Sequence, residues 1–93
     1  MIRSFADKET ERIWSGFRSR TLPQPIQKRG LDKLMLINAG QSLDDLASPP
    51  GNRLHALKND RTGQHSVSIN DQWRICFVWK DGDAHNVEIV DYH

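Results

Sequence analysis

Cysteine is nearly absent from this sequence, and Cys76 is the single thiol among 93 residues. One cysteine cannot form an intramolecular disulfide or supply the paired thiolates of a zinc knuckle. It stands in an apolar stretch without a neighbouring base, so we predict that it is packed rather than nucleophilic. The sequence therefore fits the reducing cytoplasm, where we expect the protein to be located.

Long apolar runs are also missing. No stretch approaches the roughly 18 apolar residues of a membrane-spanning helix, and the opening MIRSFADKET lacks the apolar core of a secretion signal. We therefore expect neither a membrane partner nor export by such a signal.

Several catalytic and cofactor motifs do not occur. The sequence contains no G-x-G-x-x-G, no phosphate-binding glycine loop and no G-x-S-x-G. Readings as a dinucleotide enzyme, a nucleotide triphosphatase or a serine hydrolase consequently lack support. No two histidines have the i, i+4 spacing of a preformed metal site, so we predict neither a metal nor a cofactor.

An excess of one charge sign is missing as well. Thirteen Lys and Arg face twelve Asp and Glu, a net charge of +1, which argues neither for nor against a nucleic-acid partner. Hydrophobic residues make up 37% and charged residues 27%, a balance that supports a folded core. Because 93 residues fall below the usual ~100–200 per domain, we treat residues 1–93 as a single domain.

The first half of the chain has helical spacing. A first helix is expected to begin after Asp7 and to place Ile13, Trp14 and Phe17 on one face. A second helix should end at Gly40 and present an apolar face that includes Ile26, Leu31, Leu34 and Met35. Ser42 is expected to cap a short third helix, and the prolines of residues 48–52 then mark a loop.

From His65 onward the spacing changes to strict alternation, which predicts three strands. Their apolar positions are Val67 and Ile69, then Ile75, Phe77 and Trp79, then Val87 and Ile89. The Asp81-Gly82 step between the last two strands is a hairpin signal. We therefore predict an α+β fold with N-terminal helices packed on one face of an antiparallel sheet, which residues 2–5 could join as an edge.

Cations concentrate between residues 53 and 74. Asp60 and Asp71 are the only acids of this stretch, against a set of basic or titratable side chains: Arg53, His55, Lys58, Arg61, His65 and Arg74. Such a patch favours a polyanionic partner, although solvated loop cations would give the same pattern. Arg74 is the more informative residue because alternation places it opposite the apolar face. A guanidinium there usually meets an anion or a carboxylate.

The sequence given ends on Asp91-Tyr92-His93, directly after an apolar strand. A carboxylate, a phenol and an imidazole supply the groups that general acid-base chemistry requires. On spacing alone, a frayed tail is the other interpretation.

Four segments together carry a resemblance to a known family: MIRSF, SPPGNRLHALK, GQHSVSINDQWRICF and NVEIVDYH. In their order and spacing the chain resembles the HigB (killer protein) toxins of the RelE/ParE superfamily over its full length. The resemblance implies a small α+β toxin that enters the A site of the 70S ribosome and cuts messenger RNA there without a metal. It also implies a HigA-type antitoxin with a helix-turn-helix domain, through which the complex would bind operator DNA.

The resemblance assigns functional residues by position. The catalytic set falls on His55, Lys58, Arg74, Asp91, Tyr92 and His93. The other members of the cationic stretch, Arg53, Arg61 and His65, are expected from their charge to contact RNA. Relatives often carry an arginine where this sequence has Ser68. Phosphate binding at this position is therefore expected to be weaker or to be shared with Arg61.

The sequence is also compatible with two other functions. A toxin of the same fold could bind a different target such as DNA gyrase, as ParE-type relatives do. A free nucleic-acid-binding module would instead show salt-sensitive affinity for naked RNA or DNA.

Overall fold

The computed structural model describes residues 1–91. It has two layers, one of helices and one formed by a sheet. The helices are α1 (Lys8–Trp14), α2 (Gln24–Ala39) and α3 (Leu43–Leu46). The strands are β1 (His55–Ala56), β2 (His65–Ser68), β3 (Trp73–Lys80) and β4 (Asp83–Asp91), in the sheet order β1-β2-β3-β4. Every neighbouring pair is antiparallel, so the predicted α+β fold is confirmed.

The helices bury narrower faces than their spacing predicted. Helix α1 ends at Trp14, and Gly16 then adopts a positive φ of 88°, so Phe17 leaves the helix and is 63% exposed. In α2 the buried positions are Ile26, Gly30, Leu34 and Ile37. Met35 lies one step away from that row and is 56% exposed. The predictions that Phe17 and Met35 belong to the apolar faces were wrong.

The sheet contains the three predicted strands as β2, β3 and β4. Asp81 and Gly82 both take positive φ values, 53° and 79°, as a two-residue hairpin turn requires. The short strand β1 is an addition, because the sequence indicated only a loop there. The N-terminal segment runs parallel to β4 as an edge, with Arg3 N donating to Ala84 O at 2.8 Å and Val87 N donating to Ser4 O at 3.0 Å.

The two faces of the sheet have different chemistry. One face packs against the helices and forms the core with them, and its fully buried members include Val67, Ile75, Phe77 and Val87. The opposite face carries the alternate residues of the same strands, which are largely polar: Ser66, Ser68, Arg74, Cys76 and Glu88. Strand alternation therefore separates the hydrophobic core from the polar face.

A buried asparagine anchors the loop that leads into this polar face. The Asn52 side chain is fully buried, and its Nδ2 donates to Leu46 O and Ser48 O, each at 3.1 Å. Its Oδ1 accepts from Lys33 Nζ on α2. Asn52 thus connects α2 and α3 to the chain that enters β1.

Within the part of the chain that the structure describes, no helix has both the length and the apolar character needed to cross a bilayer.

We predict that Asn52→Ala lowers the free energy of unfolding by about 2 kcal/mol or more, because the buried side chain loses its hydrogen bonds to two backbone carbonyls and to Lys33. Urea denaturation of the purified protein measures this change. The exposed Gln41→Ala serves as the control and should stay within about 0.5 kcal/mol of the wild type. Equal midpoints for Asn52→Ala and Gln41→Ala would contradict the anchoring role.

Candidate active site

Arg74 is the centre of the polar face. Its side chain projects from β3 on the side away from the helices and is only 8% exposed. Nε donates to Ser66 Oγ at 2.7 Å, and Nη2 donates to the backbone carbonyl of Arg53 at 2.7 Å. Because neighbouring elements of the fold supply both acceptors, the guanidinium is held in one orientation.

His55 contacts the same guanidinium from β1. Its Nδ1 lies 3.2 Å from Arg74 Nη2, and its backbone pairs with Ser66 across the sheet. A guanidinium only donates hydrogen bonds, so Nδ1 is the acceptor and the neutral ring carries its proton on Nε2. His55 and Arg74, which the resemblance assigned to one catalytic set, therefore lie in contact, and the contact also selects the tautomer of His55.

Lys58 lies at the start of a short 3₁₀ turn, Asn59–Arg61, and its side chain is exposed. Together with His55 it lines a surface pocket of about 400 Å³ formed by residues 55–59. Leu57 between them is buried, and its N–H donates to Gln64 O at 2.8 Å. No carboxylate of residues 1–91 forms an ion pair with Lys58. The pocket thus presents an ammonium group and an imidazole on one side of the loop.

Arg61 is tied to the sheet by an ion pair. Its Nη1 donates to Glu88 Oε1 of β4 and to Gln64 Oε1, each at 3.1 Å. Glu88 pairs with Cys76, so Arg61 lies over the same face as Arg74. Glu88 was not singled out from the sequence. The available signal was that Glu88 is an acidic residue in an otherwise apolar strand, at a position that alternation assigns to the polar face.

Cys76 is fully buried between these groups. Burial raises the pKa of its thiol and Glu88 raises it further, whereas the Arg61 and Arg74 guanidinium groups act in the opposite direction. The thiol is consequently protonated near neutral pH. The prediction of a packed cysteine is confirmed.

Arg74 and the three groups that contact it, Ser66 Oγ, the Arg53 carbonyl and His55, form what we call the Arg74 cluster. Arg53 belongs to it through its backbone. It takes a left-handed conformation with φ 49°, and its carbonyl oxygen accepts from Arg74. Its guanidinium instead lies 3.4 Å from Asp71 Oδ1, and both of these side chains are exposed. Such a surface pair contributes at most about 1 kcal/mol.

His65 and Ser68 occupy different faces of β2. His65 pairs with Phe77, and the two rings stack at 6.4 Å on the helix side of the sheet. The structure therefore does not bring His65 into the Arg74 cluster. Ser68 pairs with Arg74 on the polar face, and its Oγ donates to Asn70 O at 2.7 Å.

Asp91 is the last described residue of the predicted tail. It pairs with Trp73, is exposed, and accepts a hydrogen bond from Gln72 Nε2 at 3.0 Å. The preceding Val90 is the residue that pairs with Arg74, so strand alternation places the Asp91 side chain on the opposite face of the sheet from Arg74. Tyr92 and His93, the other two predicted catalytic residues of the tail, lie outside the described residues.

Ser66 is a further member of the site that sequence reasoning missed. Its buried hydroxyl accepts from Arg74 Nε and its backbone faces His55. A serine on the alternation of Arg74 was the available signal, but alternation does not identify which polar neighbour accepts from the guanidinium.

Comparisons with known proteins agree on one family. A family model described as the RelE-like toxin of the type II toxin-antitoxin system HigB matches residues 3–93. Toxin HigB-1 of Vibrio cholerae is 37% identical over 87 residues, 92% of each chain. Endoribonuclease HigB of Proteus vulgaris is 31% identical over 93 residues, 100% of each chain.

Solved structures show the same fold at lower identity. YafQ from E. coli superposes with a TM-score of 0.55 at 11% identity, covering 98% of this chain and 93% of its own. A chain of the YoeB-YefM complex from Staphylococcus aureus matches with a TM-score of 0.57 at 15% identity, covering 100% of this chain and 98% of its own.

We predict that the native protein resists thiol reagents, because Cys76 is buried and its pKa is raised. Its reaction with an aromatic disulfide at pH 8 should be at least ~100-fold slower than that of the unfolded chain, since it requires local opening. Lys80→Cys adds an exposed thiol beside the β3–β4 turn. This thiol should react within the mixing time and serves as the control for an active reagent. Fast labelling of wild-type Cys76 in the folded protein would show that the packed arrangement is incorrect.

Proposed function

This chain belongs to the HigB-like toxins of type II toxin-antitoxin systems, and we propose that it is an endoribonuclease that cuts messenger RNA in the ribosomal A site. The Arg74 cluster carries this proposal. A guanidinium held by Ser66 Oγ and Arg53 O, in contact with an imidazole, is a preorganised site for a phosphate that gains negative charge.

The proposed reaction uses the RNA's own 2′-hydroxyl. The 2′ oxygen bonds to phosphorus, the bond from phosphorus to the 5′ oxygen breaks, and a cyclic 2′,3′-phosphate remains. One proton leaves the 2′-hydroxyl and one reaches the 5′ oxygen, so a base and an acid are required. No step is assigned to a metal or a cofactor.

Each residue receives a role from its position or from the family resemblance. Arg74 and Lys58 neutralise the scissile phosphate, since one is fixed in the cluster and the other lines the adjoining pocket. His55 and His93 carry the two protons. Asp91 orients the base or the imidazole, and Tyr92 stacks on the RNA base or donates to it. The roles of Asp91, Tyr92 and His93 rest on the family resemblance alone.

The surroundings of the cluster support RNA contacts by further cations. Arg61 lies on the same face, held by Glu88, and Arg53 flanks it. His65 lies on the opposite face of the sheet, so we assign it no role in RNA binding. A net charge of +1 gives little attraction for free RNA, and we propose that the ribosome supplies most of the docking surface.

The proposed partners follow from the family. A HigA-type antitoxin with a helix-turn-helix domain would silence the toxin in the cytoplasm and carry the complex to operator DNA. Among the solved structures, a chain of the YoeB-YefM complex shares this fold and is bound to a partner protein there.

We predict that His55→Gln, Lys58→Gln and His93→Gln each lower cleavage of ribosome-bound message by about 10²-fold, because each removes a proton carrier or a charge at the phosphate. Mapping the 5′ ends of cellular RNA after induction measures this loss. Lys80→Gln, an exposed cation on the distant β3–β4 turn, is the control and should cut like the wild type.

Two results would overturn this assignment. One is wild-type cleavage by folded His55→Gln and His93→Gln. The other is intact message with DNA damage in cells that express the wild-type toxin, as inhibition of gyrase would produce.

We also predict that Ser66→Ala lowers the single-turnover cleavage rate on saturating ribosomes by roughly tenfold, because a buried guanidinium loses an acceptor that orients it. Ser66→Thr keeps the hydroxyl and should recover most of the rate. Ser68→Ala is the matched control, a buried serine on the same strand and face whose hydroxyl bonds to Asn70 O instead. Equal rate losses in the two alanine variants would show a general packing effect rather than positioning of Arg74.

A further inference from the structure

A second basic region lies on the helical layer, away from the Arg74 cluster. Residues 12–31 contain five Lys or Arg and no Asp or Glu, whereas the other residues contain eight Lys or Arg against twelve Asp or Glu. The nearly neutral total therefore conceals a strongly cationic segment formed by the end of α1, the connecting loop and the first half of α2.

This segment forms two adjoining hollows. One, of about 570 Å³, has Arg12, Arg18 and Arg20 in its wall. The other, of about 350 Å³, is lined by apolar Ile13, Phe17 and Leu31, with Lys28 at its rim. They share Arg18, Gln24 and Gln27, so together they form one groove, which we call the basic groove.

Hydrogen bonds to α1 and α2 hold the loop that carries Arg18 and Arg20. Ser19 is 3% exposed, and its N–H donates to Gln27 Oε1 at 3.1 Å. Gln27 Nε2 in return donates to Ser19 O and Leu22 O, each at 2.9 Å. Ser19 Oγ donates to Glu9 Oε1 at 2.6 Å, which connects the loop to α1. The basic groove is therefore already formed in the free protein.

Its cations lack acidic partners within residues 1–91. None of the four ion pairs of that region includes Arg12, Arg18, Arg20 or Lys28. Arg12 and Arg18 donate only to neutral oxygens, the Arg18 carbonyl and Gln24 Oε1. Charge complementarity therefore calls for an acidic ligand.

The apolar half of the groove favours protein over RNA as that ligand. The Arg12 guanidinium lies 5.8 Å from the centroid of the Phe17 ring, so one face of this ring is covered and closed to base stacking. Ile13 and Leu31 are aliphatic and offer no flat surface for a base. Phe17, at 63% exposure, would instead pack against apolar side chains of a protein.

We propose that the basic groove is the docking site for a segment of the antitoxin that combines apolar anchors with flanking acidic residues. This inference rests on the antitoxin partner of the proposed function and is independent of the catalytic roles. The helices lie on the sheet face opposite Arg74, so a segment in the groove leaves the Arg74 cluster uncovered.

Charge reversal and truncation test this proposal in the full-length toxin. The probe is the antitoxin expressed from the gene beside that of the toxin, and its affinity is measured by calorimetry at two salt concentrations. Arg20→Glu and Phe17→Ala should each raise Kd by roughly tenfold or more. Lys80→Glu makes the same charge change on the β3–β4 turn and should leave Kd within about threefold.

A second measurement uses only the wild-type protein. On antitoxin binding, amide hydrogen exchange should slow in residues 12–31, most strongly around Phe17. Without antitoxin, Arg20→Glu and Phe17→Ala should still arrest growth and cut messages like the wild type, but antitoxin should no longer rescue the cells.

Three outcomes would overturn the proposal: unchanged antitoxin affinity in both groove variants, exchange protection confined to other segments, or variants that lose growth arrest while they still bind antitoxin. The last would assign the groove to RNA or the ribosome. Failure of the proposed nuclease function would appear separately, as absence of cleavage by the wild type without antitoxin.

Discussion

The hydrogen bonds of the Arg74 guanidinium constrain the whole polar face. A charged group that is 8% exposed is costly unless neighbouring atoms replace its water. Here Ser66 Oγ and Arg53 O do so, and each must be delivered by a different part of the chain. Ser66 is fixed by the β2–β3 register, and the Arg53 carbonyl by a left-handed residue that follows the buried Asn52. The fold around residues 52–55 thus places both acceptor oxygens beside the Arg74 guanidinium.

The core and the site are two consequences of the same strand alternation. Ile75 and Phe77 face the helices, while Arg74 and Cys76 on the same strand face away. A shift of β2 against β3 by one residue would turn Val67 away from the helices and Ser66 towards them. The hydrophobic core therefore stabilises the one register in which Ser66 lies within reach of Arg74. Stability of the fold and geometry of the site are coupled through this register.

Local patterns were sufficient to predict β2, β3, β4 and the Asp81-Gly82 turn, because alternation and turn chemistry depend on neighbouring residues. They were insufficient for β1, whose two residues pair only because the loop brings them to β2. The ion pair of Arg61 with Glu88 and the bond from Arg74 to the Arg53 carbonyl span 27 and 21 residues, and no local spacing encodes such contacts. Phe17 was misplaced because Gly16 ended its helix early.

Net charge was uninformative here because opposite charges are separated in space rather than mixed. Residues 12–31 are purely cationic, and the acids that balance them stand elsewhere in the chain. At a Debye length of about 8 Å, a partner senses the local patch and not the total. Two positive regions on opposite sides of one small domain can therefore serve two different acidic partners independently. A partner that neutralises one region need not compete for the other, so inhibition and catalysis can depend on separate residues.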